Sequence, residues 1–135
     1  MTTFHTDDRT PHLEPGEVVY ANVLNPQQNP RCNGKARPVI LLHRRGNGWL
    51  VMGLTTLPTY SDGTARTRID DPAALGLRGP SFLWGTPTRV SGIDILDHNG
   101  WVDETTATAL AESHPNECNL ADLLGETPDG LTAAV

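Results

Sequence analysis

The sequence has no long hydrophobic run and contains only two cysteines, so several classes of protein are excluded at once. No apolar stretch approaches the roughly 18 residues that a membrane-spanning helix needs, so we expect no span. The first nine residues lack a basic segment followed by an apolar one, and no signal peptide is predicted. Cys32 and Cys118 lie far apart and lack the spacing of a zinc site. These features predict a cytoplasmic protein with reduced thiols.

The common motifs of nucleotide hydrolysis and esterase chemistry are also missing. Neither a Gly-Lys-Ser/Thr phosphate loop nor a Gly-x-Ser-x-Gly motif occurs. The nearest approach to a metal site is Asp94, Asp97 and His98, but no further His or Cys is close in sequence. We therefore predict a protein that works without a metal or other cofactor.

Basic side chains are absent from the C-terminal part of the chain, and this hides the character of the rest. Residues 103–135 carry seven acidic side chains and neither Lys nor Arg, whereas residues 16–102 carry nine basic side chains against six acidic ones. The net charge of −6 therefore combines a basic body with an acidic tail and an N-terminal segment, residues 1–15, that carries −2. A basic body can attract a polyanion such as RNA whatever the total charge.

What the chain has in quantity is proline and glycine, 11 and 13 in 135 residues. This composition is typical of one compact domain with many short strands and turns. Apolar runs predict strands over residues 17–24, 37–44, 49–56, 81–84 and 88–96, and the alternating charge of Arg66-Thr67-Arg68-Ile69 predicts a short edge strand. About seven short strands with few helices predict a mainly β fold, either a strongly bent sheet or a small barrel.

The helices are predicted near the end of the chain. Asp103 is a favourable N-cap for a helix that Pro115 ends, and Asn116 could cap a second helix that ends at Gly125. One helical turn is predicted at residues 72–75, and Asn99-Gly100 is predicted to be a turn. We divide the chain into a flexible segment (1–14), a barrel domain with its helix (15–114) and an acidic extension (115–135).

A predicted hairpin gives the first indication of a functional site. Gly46-Asn47-Gly48 is a strong turn signal between two apolar strands, so Arg37 and Thr55 are expected to lie near one end of the sheet. A cation and a hydroxyl on neighbouring strands can bind a phosphate. The alternatives are structural: Arg37 could pair with Glu17, and Thr55 could be an ordinary β-branched strand residue.

Five short segments follow one another in the order and spacing of a known family. They are Gly16-Glu17-Val18-Val19-Tyr20, Arg37-Pro38, Thr55-Thr56, Arg89-Val90-Ser91-Gly92-Ile93-Asp94 and Gly100-Trp101-Val102-Asp103. Over about residues 16–113 the chain therefore resembles the MazF/PemK (Kid-like) toxin family. The resemblance implies an SH3-like barrel, a homodimer, and a metal-independent, sequence-specific endoribonuclease that cleaves single-stranded RNA and is restrained by an antitoxin.

The resemblance also implies roles for individual residues. Arg37 would hold the scissile phosphate and Thr55 would donate a hydrogen bond to it, so both are catalytic candidates. Trp84 is a candidate for stacking on a base. Trp49 and Trp101 are weaker candidates for the same role. The substrate-binding candidates are Thr56, Arg31, Lys35, Trp84 and Arg89.

The carboxylates that many family members carry near the site are missing here. Trp84-Gly85-Thr86-Pro87 stands where the family has an acidic residue and Gln, and the loop before Arg37 has no acid. His43, Asp94 and Asp97 remain as candidate general bases. The alternative function is a catalytically degenerate barrel that binds a host protein and inhibits growth.

Overall fold

The computed structural model describes residues 13–24, 36–46, 48–90 and 92–125, and side chains within these ranges except at 21–24, 36, 90 and 92–97. Nearly all of the predicted N-terminal segment and the end of the acidic extension lie outside these ranges. So do Arg31 and Lys35, two of the substrate-binding candidates.

The described chain is mainly antiparallel β-sheet with helices at its C-terminal end. The strands are β1 (Glu17–Leu24), β2 (Ala36–Arg45), β3 (Gly48–Thr55), β4 (Phe82–Leu83), β5 (Thr88–Val90) and β6 (Gly92–Trp101). A 3₁₀ turn covers Pro72–Leu75, and the helices are α1 (Glu104–Ser113) and α2 (Leu120–Leu123). No helix in these ranges is long and apolar enough to cross a bilayer.

The sheet curls strongly, as its pairing order shows. The strands follow the order β4-β3-β2-β1-β6, and β5 pairs with β3. Only one residue separates β5 from β6, yet β5 pairs with β3 while β6 pairs with β1, on the other side of β2. Two consecutive strands can reach both sides of β2 only if the sheet bends back towards itself. The pairings of the described strands do not define a closed barrel.

The predictions for residues 66–69 and for Asn99-Gly100 are wrong. Residues 66–69 form no strand and make only a single bridge, from Arg68 to Phe82. Asn99 and Gly100 are not a turn but lie inside β6, where Gly100 pairs with Val18. A Cβ at position 100 would approach the carbonyl oxygen of Leu75 to 3.2 Å, so this glycine serves close packing against the 3₁₀ turn.

Most of the core lies on the side of the sheet that the helices and the 3₁₀ turn cover, which we call the helix-covered face. Large apolar side chains from strands, loops and helices meet there with almost no exposure. They include Val18, Ile40, Leu42, Met52, Ile69, Leu75, Leu110 and Leu123. Each buried Leu or Ile contributes about 2 kcal/mol through removal of apolar surface from water.

The other side of the sheet, which we call the open face, has a smaller core. Side chains alternate along a strand, so Val39 and Leu41 of β2 point away from Ile40 and Leu42. Val39 and Leu41 pack with Val19, Trp49 and Val51. The Arg44 guanidinium lies 5.4 Å from the centre of the Trp49 ring and covers part of this cluster.

Side-chain caps begin both C-terminal helices. The Asp103 carboxylate accepts a hydrogen bond from the Thr106 N–H at 3.0 Å, which confirms the predicted N-cap of α1. The cap of α2 is Asn119, which accepts from the Asp122 N–H at 2.8 Å, and not Asn116 as predicted. Residues 115–117 form a turn after Pro115, so the second helix begins later.

Candidate functional site

Arg37 lies near the start of β2, on the open face. The hairpin register pairs Val39 with Gly53, and continuing it by two residues sets Arg37 across from Thr55. Because alternate residues share a face, Arg37 follows Val39 and Leu41 on the same side of β2. The pairing of β2 with β3 ends at Val39 and Gly53. Arg37 and Thr55 thus lie two residues beyond the last pair, near the same end of the sheet.

A shallow depression surrounds Arg37. Its lining consists of residues from β2, β3, β5 and the segment after β4, mostly on the open face: Arg37, Val39, Val51, Gly53, Trp84 and Thr88, together with Leu54 of the helix-covered core. The enclosed space is about 20 Å³, which holds little more than one water molecule. A larger ligand would therefore lie across the depression, against its lining side chains.

The ion pair between Arg37 and Glu17 that the sequence left open does not form. Glu17 is buried, and its carboxylate contacts His98 Nδ1 at 2.7 Å and accepts the Glu14 N–H at 3.2 Å. No ion pair between Arg37 and a carboxylate occurs among the described side chains, which do not include those of Asp94 and Asp97. The positive charge of Arg37 is thus not balanced by an acidic side chain of this part of the chain.

Thr55 contributes less directly than Arg37. Its hydroxyl oxygen accepts a hydrogen bond from the Leu57 N–H at 3.2 Å, which stabilises the turn after β3. This bond uses a lone pair, so the hydroxyl proton can still be donated to an anion. Thr55 does not line the depression, and Thr56 is exposed just beyond the strand.

Trp84 forms one wall of the depression. The backbone N–H of Trp84 donates to the Gly53 carbonyl at 2.8 Å, which extends the pairing beyond β4. A Cβ on Gly53 would lie 3.4 Å from the Cβ of Trp84, so the missing side chain lets the indole lie close to β3. The Trp84 side chain remains 39% exposed, as a base-stacking residue must be.

Arg66 holds Trp84 in place, and the sequence analysis missed it. Its guanidinium lies 4.7 Å from the centre of the Trp84 ring and 4.5 Å from that of Tyr60. Arg66 also donates to the carbonyl oxygens of Trp84 at 3.0 Å and Leu57 at 3.3 Å, and to that of Thr59.

The alternation of Arg66 and Arg68 predicted an edge strand. The contacts of Arg66 with Tyr60 and Trp84 do not show in that pattern, because both residues lie outside it. The one local signal is Gly85, which has a φ of +139°. A Cβ at this position would overlap the Tyr60 hydroxyl, so the glycine makes room for the cluster of Tyr60, Arg66 and Trp84.

Arg89 is not part of this site, whereas its neighbour Thr88 is. Arg89 pairs with Leu50 on β5 and is exposed, but only Thr88 lines the depression. Sequence analysis did not select Thr88, since nothing local distinguishes it from other strand threonines.

The candidate general bases are not brought to Arg37 among the described side chains. His43 is six residues further along β2, which corresponds to about 20 Å at the rise of a β-strand. The side chains of Asp94 and Asp97 lie outside the described ones. The backbone of Asp94 pairs with Asn22 of β1, so it is two strands away from β2.

Trp49 and Trp101, the weaker stacking candidates, do not line the depression. Trp49 belongs to the open-face core, and Trp101 is exposed with its ring 5.7 Å from that of His98. The side chains of Asp94 and Asp97, on which the metal hypothesis depends, are not among the described ones. No group of three or more His, Cys, Asp or Glu side chains that could hold a metal occurs within the described ranges.

Three comparisons with known proteins complete the description of the site. The chain matches no protein-family model, no curated protein and no solved structure.

Proposed function

We propose that this protein is a toxin-type endoribonuclease that cleaves single-stranded RNA without a metal, as the resemblance to the MazF/PemK family implies. The observation that supports this most strongly is the Arg37 guanidinium, which lines an open depression without a described acidic partner. An unbalanced cation beside an exposed tryptophan suits the phosphate and base of a single-stranded nucleic acid.

The proposed reaction is an internal transesterification. The 2′-hydroxyl attacks the adjacent phosphorus, the bond to the 5′-oxygen breaks, and a 2′,3′-cyclic phosphate and a free 5′-hydroxyl result. Arg37 and Thr55 donate hydrogen bonds to the phosphate oxygens, on which negative charge increases in the transition state. The general base and acid are not assigned to any of the described side chains.

The distribution of charge favours a polyanionic substrate. Within the described ranges the ion pairs are His98 with Glu17 and His114 with Glu117, and neither involves an arginine. Arginines are exposed on several strands and loops, at positions 44, 45, 68, 78 and 89. Their positive field would raise the association rate with RNA and would weaken as salt is added.

The finer points of the proposal concern fold, assembly and location. The strong curl of the sheet, with β5 and β6 on either side of β2, is what an SH3-like barrel requires. The homodimer, the antitoxin and the cytoplasmic location come from the sequence resemblance and composition. They are part of the same proposal.

The decisive experiment is incubation of the purified protein with long single-stranded RNA in EDTA. We expect discrete cuts with 2′,3′-cyclic phosphate ends, and at least 100-fold slower cleavage by Arg37→Ala. Arg45→Ala is the matched control, since it removes the same charge from the opposite end of β2. Absence of cleavage by the wild-type protein on RNAs of diverse sequence would refute the proposal.

A second candidate function is a catalytically degenerate module that binds a host protein. The observation in its favour is that Trp84-Gly85-Thr86-Pro87 replaces the acidic pair of the family, and that Arg66 holds Trp84 there. In this case growth inhibition persists in Arg37→Ala, and a host protein other than an antitoxin co-purifies. Loss of toxicity through that single substitution would eliminate the alternative.

A further inference from the structure

We propose that Trp84, held by Arg66, is a platform on which one nucleobase of the RNA stacks while the neighbouring phosphate binds Arg37. The inference rests on the proposed function for the class of ligand. It adds a base subsite and gives Arg66 the role of a positioning residue.

The first argument is the position of the indole. Trp84 lines the same depression as Arg37 and Thr88 and is 39% exposed, so part of it is available to a ligand that contacts Arg37. The enclosed space is about 20 Å³, far too small to admit a base, so a base would have to lie on the lining. Stacking on an exposed aromatic ring is the usual mode for single-stranded nucleic acids.

The second argument is the way Arg66 restrains the ring. The guanidinium lies near the Trp84 ring, and its Nε donates to the carbonyl of the same residue. It therefore restrains both the backbone and the side chain of Trp84. An aromatic ring that is already ordered loses little further freedom when a base stacks on it.

The third argument is that the other contacts of Arg66 fix the arginine itself. Tyr60 packs on the guanidinium, and the carbonyls of Leu57 and Thr59 accept its hydrogen bonds. All of these groups belong to the loop that follows β3, and Thr55 ends that strand. The loop is thus tied to Trp84 through one cation, next to the proposed phosphate site.

The test is an abasic scan with an RNA that cannot be cleaved. A fully 2′-O-methylated single-stranded oligonucleotide serves as the probe, and a set of abasic analogues removes one base at a time. For the wild-type protein we expect loss of one base to weaken binding about 10-fold at one position, within the range measured for stacking on aromatic side chains.

Variants assign this effect to the platform. Trp84→Ala should bind the intact probe as weakly as the wild-type protein binds the critical abasic probe. The affinity of Trp84→Ala should not fall further when that base is removed from the probe. Arg66→Ala should lose the same discrimination while its affinity for the abasic probe stays within about twofold of the wild type. Arg68→Ala is the matched control, since Arg68 is an exposed arginine of the same loop without these contacts.

Further measurements separate positioning from general damage to the fold. If Arg66→Ala unfolds, Arg66→Lys retains the charge but not the fork of donors, and should show a partial loss of discrimination. In a Trp49→Phe, Trp101→Phe background, fluorescence of Trp84 should be quenched by the intact probe and not by the critical abasic one.

The outcomes distinguish this inference from the proposed function. If the wild-type protein binds no oligonucleotide, the proposed function fails and the base subsite with it. If binding depends on Arg37 but every abasic probe behaves alike in the wild type and in Trp84→Ala, only the platform is refuted.

Discussion

The two faces of the sheet are made from the same strands, but they differ in the size of their apolar cores and in the elements that cover them. The helix-covered face combines large apolar side chains of β1, β2 and β3 with those of the 3₁₀ turn and both helices. The open face has a smaller cluster around Leu41 and Trp49, and it continues into the Arg37 depression without a described helix above it.

This difference shows where a cation can be placed in a small fold. A guanidinium without a partner is costly to bury, so Arg37 could not take a position among the residues of the helix-covered face. On the open face it keeps contact with water while Val39 and Val51 hold the strands beneath it. We therefore propose that stability depends mainly on the helix-covered face and ligand binding on the open face, and this division can be tested by substitution.

The largest effect on stability is expected from Leu110→Ala on the helix-covered face. Leu110 is fully buried between α1 and the sheet, and its truncation should lower the free energy of unfolding by about 3 kcal/mol. Urea denaturation measures this change. The control is Thr88→Ala on the open face, for which we expect less than about 0.5 kcal/mol. Similar losses for both variants would contradict the division between the faces.

The second prediction concerns the reactivity of thiols on the two faces. Burial, and to a lesser degree the nearby Glu117 carboxylate, raise the pKa of Cys118 to about 11. At pH 8 the reactive thiolate is therefore about 100-fold rarer than for a thiol with a pKa of 9, and reaction should accelerate as the pH approaches 11. In a Cys32→Ser background, a thiol reagent should modify Cys118 slowly. The thiol that Thr88→Cys introduces on the open face should react quickly. Equal rates at pH 8 would show that the helix-covered face opens readily.

The smallest effect on stability is expected for Arg37→Ala. The Arg37 side chain takes part in none of the hydrogen bonds or ion pairs of the described side chains, so the free energy of unfolding should change by less than about 0.5 kcal/mol. RNA affinity should nevertheless fall at low salt, and the slope of log K against log salt should decrease by about one. A large loss of stability would instead give Arg37 a structural role.

Local patterns predicted much of this fold. The extent of β1, the hairpin of β2 and β3, the 3₁₀ turn and the Asp103 cap all follow from residues close to one another in sequence. Where local patterns failed inside the sheet, the cause is contact between residues that are far apart in sequence. Gly100 has the sequence signature of a turn, but the backbone of Leu75 packs against it inside β6.

The candidate site divides in the same way. Arg37 and Thr55 can be brought together from the sequence, because a short hairpin converts sequence spacing into register. The cluster of Tyr60, Arg66 and Trp84 cannot, because Arg66 and Trp84 are 18 residues apart and belong to irregular segments. Likewise, no pattern reveals that Glu17 pairs with His98 and so leaves Arg37 without that partner.

Composition, turn residues and strand periodicity are local properties, so the linear chain already determined a mainly β domain and a cation at the start of β2. The curl of the sheet and the packing of its segments determined which residues far apart in sequence become neighbours. They set Trp84 and its arginine beside the depression, and they paired Glu17 with His98 rather than with Arg37. The reason is physical: side-chain neighbours across a fold are chosen by the fit of whole surfaces, which no short stretch of sequence encodes.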